Sequence, residues 1–393
     1  MGRVNWFPGH MAAAMATLKR LLRGPVDLVL EVRDARVPLS SANPKLEALL
    51  QGKRRIVVLS KADLVPRGAA QAALRALEAQ GLRALPASAA SPPSVRRLLA
   101  AASGWLAAER SGCELSIMMV VGLPNSGKSS LINALKLAAR SAGALGGEQA
   151  HQRRAAVGAA PGLTRQVSGF QVCAAPSPVY VLDTPGIMPP NVPDDAAGFR
   201  LALAGAGRRA PQACGARARA QGRSAAPRPP AHTTCPPRRA GAVRDSVVGE
   251  EAIVRQLLAL LAAAPRHRAA LRAAQAPGFR PPGRGPPGGA RPGGDRLSPQ
   301  RVRAMRAALA DAADALAGVA GHGGAAGAGG AWHPGVDDAS FDASDVALDL
   351  LLSRLGAAGG TNPQVETGAY IRLLQAFRAG ELGRYMLDNL DNR

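Results

Sequence analysis

The sequence predicts an α/β fold: a three-layer, Rossmann-like sheet of the P-loop class, followed by a small α-helical C-terminal domain. Three observations predict it. Apolar, β-branched runs alternate with helical spacing through the first half of the chain, the pattern of strands joined by crossover helices. One such run, Ile117–Val121, leads into Gly122-Leu-Pro-Asn-Ser-Gly127-Lys128-Ser129 and then into the helical pattern Leu131–Leu135. A GxxxxGK[ST] loop between a strand and a helix is a phosphate cradle. Beyond residue 243 the strand pattern stops and apolar residues recur at helical spacing. At 393 residues the chain can bury two cores.

The elements follow in order. A helical stretch from Met11 to Leu22, with Met15, Leu18, Leu21 and Leu22 apolar, succeeds Trp6-Phe-Pro-Gly-His10-Met11. Val26–Val32 reads as a buried strand ending in Arg33-Asp34-Ala35-Arg36, and Pro44–Leu50 as a second helix. Arg55–Leu59 is a central strand by its β-branched content. It delivers Ser60-Lys61-Ala62-Asp63 to a carboxyl end, where open α/β sheets bind ligands. Arg83–Pro86 reads as a further strand, and it delivers Ala87-Ser88-Ala89. Ala139–Arg154 is a polar, glycine-bearing insertion without evident chemistry. Val179–Leu182 is a strand running into Asp183-Thr184-Pro185-Gly186.

The motifs divide a nucleotide between them. In the P-loop, glycines let backbone N–H groups turn inward around phosphate, and the following helix start adds its positive end. The candidate contacts are Asn125, Ser126, Gly127, Lys128, Ser129 and Ser130, with Lys128 reaching the β- and γ-phosphates and Ser129 ligating Mg²⁺. Thr164, in Pro161-Gly-Leu-Thr164, is suited to close over Mg²⁺ and the γ-phosphate. Asp183 would hold the metal through water, and the Gly186 N–H would sense the γ-phosphate. Ser60-Lys61-Ala62-Asp63 approaches the [NT]KxD element: the Asp63 carboxylate can accept from the guanine ring N–H and exocyclic amine, and the Lys61 stem lies along the base. The pair Ser88-Ala89 offers a backbone N–H to the guanine oxygen. Together they describe a GTP site of the P-loop GTPase type.

Their order is unusual. Guanine elements come first and phosphate elements follow, the reverse of an ordinary GTPase, so the sheet is circularly permuted. New termini cost little where they fall in exposed loops. The segment after Asp183–Gly186 then feeds directly into the C-terminal half as a lever.

On these residues the chain resembles the circularly permuted ribosome-assembly GTPase family (YlqF/YawG type), most closely its mitochondrial ribosome-associated branch. Asn5–Met11, Glu31–Arg36, Ser60–Asp63, Gly122–Ser130, Pro161–Thr164 and Asp183–Gly186 carry the resemblance, extended by Val243–Glu251 and Phe377–Leu387. It implies a GTP-hydrolysing assembly factor for the mitochondrial large ribosomal subunit, bound to rRNA or the precursor particle and released on hydrolysis. GTP, Mg²⁺ and K⁺ are the implied cofactors, with slow intrinsic turnover stimulated by potassium and by the ribosome. Ile187 stands where many GTPases place a water-orienting glutamine, so the resemblance assigns that role to His10. It assigns K⁺ support to Asn125. A structural or rRNA-facing His10 is the alternative, and Asp34 and Arg36 read as structural or rRNA-facing rather than catalytic. Where this family carries asparagine the chain has Ser60, a shorter side chain expected to lose a bond between the base loop and the P-loop.

Composition sets bounds. A formal charge of +22 suggests a polyanionic partner, most simply RNA; solvated arginines in disordered segments are the plainer alternative. Cys113, Cys173, Cys214 and Cys235 have no CxxC spacing, so neither a disulfide framework nor a zinc site is supported. No apolar stretch suffices for a membrane span, although peripheral inner-membrane association stays compatible. Met1–Trp6 carries no leader pattern, which reads as a cytosolic product or one lacking its leader. The resemblance points to the mitochondrial matrix side, with plastid and cytoplasm open, and to a monomer without a DNA partner.

Three segments follow. Residues 1–206 form the permuted GTPase domain. Gly207–Ala242 has eight arginines, no acidic residue and no periodicity, and reads as a translated in-frame intron or gene-model error, or else as a basic arm on rRNA. Residues 243–393 form the helical domain, with helices at Glu250–Ala264, Arg301–Val319, Asp345–Leu355 and Thr367–Phe377 and linkers near 277–300 and 321–335. Arg372, Arg378 and Arg384 form a basic face for rRNA or plain solvent. The competing functional readings are a nucleotide-gated RNA-binding scaffold with incidental hydrolysis, and an ATPase.

Overall fold

Strand β1 (Leu28–Asp34) is buried on both faces. Its side chains alternate between faces. Leu28, Leu30 and Val32 enter one apolar cluster and Val29 enters another, so Glu31 and Arg33 share the Val29 face. The computed structural model describes residues 9–24, 26–109, 115–141, 169–173, 178–184, 195–205, 249–276, 279, 297–322, 338–356, 363–388 and 390.

Around β1 the sheet adds β2 (Arg55–Ser60), β3 (Ala84–Pro86), β4 (Ser116–Gly122), β5 (Gly169–Cys173) and β6 (Val179–Asp183). The spatial order is β3-β2-β1-β4-β6-β5. Every pairing is parallel except β5 with β6. Helices α1 (Gly9–Arg23) and α2 (Pro44–Leu50) cover one face through Leu18, Leu22, Leu46 and Leu50. Helices α4 (Pro92–Glu109) and α5 (Lys128–Ser141) cover the other through Leu98, Leu106, Leu131 and Leu135. Helix α3 (Arg67–Glu78) packs Ala73 and Leu77 against Val57 and Leu59. This is the three-layer P-loop fold.

The C-terminal region is helical: α7 (Glu250–Ala263), α8 (Pro265–Ala273), α9 (Pro299–His322), α10 (Asp338–Arg354) and α11 (Pro363–Arg378). Helix α6 (Asp195–Ala204), which follows the last strand, joins their core through Leu201 and Leu203. Val37 and Leu123, from the sheet's carboxyl edge, enter the same core. The final segment turns back onto the sheet: the Tyr385 N–H donates to the Leu64 carbonyl at 3.2 Å and the Leu387 N–H to that of Arg36 at 2.8 Å.

Several expectations are corrected. β1 starts at Leu28 rather than Val26 and runs to Asp34. α5 continues through Ser141, so residues 139–141 are helix rather than insertion. Residues 299–300 and 321–322 belong to α9 rather than to linkers, and α10 starts at Asp338 rather than Asp345. Helices α4, α6 and α8 and strand β5 appear where no element was expected. In α4 the buried positions Val95, Leu98, Ala102 and Leu106 do keep helical spacing, diluted in sequence by small alanines. Among the described residues no helix is long and apolar enough to cross a membrane.

Candidate functional site

The chain leaves β1 toward β2 and β3, then returns to the opposite side of β1 for β4 and β6. This reversal makes a switch point between β1 and β4, and open sheets take ligands at the strands' carboxyl ends there. The P-loop leaves the carboxyl end of β4, and Ser60–Lys61 leaves that of β2, one strand beyond β1. The two sequence-distant halves meet across this crevice.

The P-loop has the backbone a phosphate cradle needs. Asn125 at φ 59° and Gly127 at φ 95° are left-handed, and Gly122 at φ 146° lies so close to β1 that a Cβ would sit 2.3 Å from the Val32 carbonyl oxygen. Lys128 is buried, its ammonium donating at 2.6 Å to the Leu123 carbonyl. The buried Ser126 hydroxyl has no hydrogen-bond partner among the described residues, an orphan that suits a bound oxyanion. Ser129 and Ser130 are exposed at the start of α5, so the hydroxyl expected on Mg²⁺ is accessible.

The loops expected to read the base lie against this cradle. The Ser60 hydroxyl is 2.5 Å from the Ser126 carbonyl and 3.0 Å from that of Arg33. The expected loss of a base-loop tie at Ser60 is therefore corrected: serine is close enough to make the bond itself. Lys61, left-handed at φ 54°, donates to the Asn125 carbonyl at 2.9 Å and to Asp34 Oδ2 at 2.8 Å. Asp63 follows in a turn of 3₁₀ helix and is half-buried. The Ala62 N–H donates to the Ala87 carbonyl at 3.2 Å, joining the two base loops. The Ser88 N–H is taken by the Ser94 hydroxyl at 3.1 Å, whereas Ala89, the other expected contact of the pair, is exposed.

Asp34 is the electrostatic centre. Burial raises its carboxyl's affinity for a proton, but the Arg36 guanidinium and the Lys61 ammonium outweigh this and hold it well below the usual carboxylate range. Burial pushes the Lys61 ammonium down, opposed by Asp34. Arg36 grips both Asp34 oxygens at 3.0 and 2.8 Å. Both Asp34 and Arg36 are buried, which removes the rRNA-facing alternative.

A feature not read from the sequence lies beside the P-loop. The last carbonyls of α6 and that of Gly205 just beyond it are held from three different parts of the chain. Arg378 donates to Ala202 at 2.7 Å and Leu203 at 3.3 Å, Arg36 to Ala204 at 2.8 Å, and Asn125 Nδ2 to Gly205 at 3.0 Å. Cations at a helix C-terminus also oppose its dipole. Arg378 thus turns inward, correcting the basic-face reading for that residue, while Arg372 and Arg384 stay exposed. The signal was present in Arg33-Asp34-Ala35-Arg36 at a strand's end, but its partners are remote in sequence.

Beside the P-loop strand, β6 brings Asp183 opposite Val120, and the Thr184 hydroxyl donates to the Val120 carbonyl at 2.5 Å. The Asp183 side chain, Thr164 and Gly186 lie outside the described residues, as does the side chain of His10 in the first turn of α1. The segment 207–242 also lies outside them.

Comparison with known proteins adds five findings. A family model described as 50S ribosome-binding GTPase matches residues 117–209. The chain is similar to Short integuments 2, mitochondrial, of Arabidopsis thaliana, at 37% identity over 260 residues, 66% of this chain and 57% of that protein. It is similar to Mitochondrial ribosome-associated GTPase 1 of Mus musculus, at 36% identity over 51% of this chain and 60% of that one, and to Ribosome biogenesis GTPase A of Bacillus pumilus, at 31% identity over 52% and 68%. Among solved structures, GNP-bound YlqF from T. maritima shares 26% identity at a TM-score of 0.35, over 49% of this chain and 66% of that one. The chain spans 57% and 60% of the first two relatives' lengths.

Proposed function

The chain belongs to the YlqF-type family of 50S ribosome-binding GTPases, and on that premise we propose that it hydrolyses GTP to GDP and phosphate while bound to the maturing large subunit of the mitochondrial ribosome. Hydrolysis then releases it from the particle. The observation that carries this reading is the junction of base and phosphate elements: Lys61 on the Asn125 carbonyl at 2.9 Å and Ser60 against that of Ser126 at 2.5 Å. One nucleotide can span elements so joined.

In this reading Lys128 exchanges its loop carbonyl for the β- and γ-phosphates, and the Ser126 hydroxyl gains its missing partner. Asp63 and the Ala89 N–H read guanine, with Lys61 held along the base by Asp34. Ser88 sets the loop. Mg²⁺ would be held by Ser129, Thr164 and, through water, Asp183, and would neutralise charge on the phosphates. A potassium ion would meet Asn125, and His10 is the candidate for orienting water. The large basic charge and the mitochondrial names of the relatives support rRNA as partner and the matrix as compartment. Residues 1–206 and 243–393 serve as GTPase and helical domains.

The test is sedimentation of the protein with large-subunit precursor particles. Co-sedimentation is expected with a non-hydrolysable GTP analogue, and release with GDP. Binding indifferent to nucleotide would overturn the release step. A hydrolysis rate indifferent to potassium would remove that ion from the mechanism.

A further inference from the structure

A second concave surface lies at the opposite end of the sheet. It occupies about 640 Å³ beneath the amino ends of β2 and β3, between the end of α2 and the later turns of α4. Strand β2 spans six residues, so roughly 16 Å separates Arg55 at this groove from Ser60 at the nucleotide end. Among the described residues, Lys53, Arg54, Arg55 and Arg83 line it against a single carboxylate, Glu47. The aromatic Trp105 also lines it, and the Arg83 guanidinium lies over that ring, 4.8 Å from the centroid.

The floor is built. Glu31, a buried residue of β1, accepts from Arg33 at 2.7 Å and from Arg55 at 3.2 Å, and Arg33 also donates to Glu47 at 2.8 Å. The two carboxylates are engaged with these two arginines, and Arg55 is held at the groove in one geometry. The rim residues Arg54 and Arg83 are exposed. The groove therefore combines a held guanidinium, a positive rim and a layered guanidinium–indole platform.

From this arrangement we infer that the groove binds single-stranded RNA, one unstacked base lying on the Arg83–Trp105 platform and its flanking phosphates meeting Lys53, Arg54 and Arg55. A basic groove follows a phosphate backbone, and a flat π surface takes any base that has left its stack. A volume of this size suits one small ligand-sized group, such as a single nucleotide. The RNA class rests on the ribosomal reading above. The groove gives the protein a second contact with rRNA, on the face turned away from GTP.

The test uses the full chain and a short, labelled, single-stranded oligoribonucleotide, read by fluorescence anisotropy across a salt series. Combining Lys53→Gln, Arg54→Gln and Arg83→Gln is expected to weaken binding about tenfold or more and to flatten the salt slope by about two. Trp105→Leu keeps an apolar contact and is expected to weaken binding about tenfold with the slope unchanged. GTP affinity stays at the wild-type value in both. Variants that bind the oligonucleotide as the wild type does overturn the proposal, as does displacement by polyglutamate of equal charge. Precursor-particle sedimentation separates the two readings: particle binding kept while the oligonucleotide is unaffected by the variants removes only the groove. No particle binding by the wild type removes the ribosomal reading.

Discussion

Asn125 of the P-loop donates through Nδ2 to the carbonyl of Gly205, 3.0 Å away at the end of α6. The same helix end is held by Arg378 from α11 and by Arg36, which also grips Asp34 beneath Lys61. The phosphate loop, the base loop and the C-terminal helices therefore converge on four consecutive carbonyls. The P-loop contacts the end of α6 directly, which gives the proposed hydrolysis step a path to the C-terminal helices.

Arg378→Ala tests that connection. It removes two charge-assisted bonds to Ala202 and Leu203, and the expected loss of stability is about 2 kcal/mol. GTP affinity should change little, because Arg378 donates to the Ala202 and Leu203 carbonyls of α6 rather than to the P-loop, while stimulation of hydrolysis by the particle should fall. Thermal melts and a GTPase assay with and without particles check this. A variant with wild-type stimulation would show that the helix end carries no signal.

Asp34→Asn tests the electrostatic centre. The folded carboxyl sits below its unfolded value of about 3.9, because Arg36 and Lys61 overcome the burial penalty. The stabilisation is therefore complete above about pH 4 and is lost as pH falls through the lower folded value. The variant should lose about 3 kcal/mol at neutral pH, where Arg36 stays buried beside an amide. Denaturant melts of the two proteins should draw together below pH 4. A pH-independent difference would assign the effect to packing.

Gly122→Ala tests the close approach of β1 to the P-loop. The new methyl would meet the Val32 carbonyl oxygen at 2.3 Å in a backbone at φ 146°, so stability should fall by more than about 1 kcal/mol, with nucleotide affinity falling too. Gly104→Ala is the control: it lies inside α4 with nothing within 4 Å of the added carbon. It should be neutral or stabilising by about 0.5 kcal/mol. Equal losses in both would remove the steric argument.

The sequence was most informative where function requires particular residues in local order. The P-loop, Ser60–Asp63 and Ser88–Ala89 each follow a strand whose apolar run is unbroken, and the structure brings their backbones together. Helices α4 and α8 were missed because alanine and arginine dilute the apolar spacing, although their buried positions keep it. Arg378 is illegible in sequence for a different reason. Its partners, Ala202 and Leu203, are more than 170 residues away, and a backbone carbonyl leaves no mark in sequence. Side-chain length alone does not decide the tie at Ser60: the approach of Gly127 to Ser60, within 3.5 Å of an added Cβ, brings the loop to the hydroxyl.

The most direct test of one pocket shared by two halves is calorimetric titration of GTP and ATP into the wild type, Asp63→Ala and Lys128→Ala. The account predicts that the wild type prefers GTP by at least about a hundredfold, the worth of two hydrogen bonds to a charged acceptor. Asp63→Ala should lose that preference while retaining weak binding of both triphosphates, and Lys128→Ala should lose affinity for both. Equal affinity of the wild type for the two nucleotides, or a preference that survives Asp63→Ala, would contradict it.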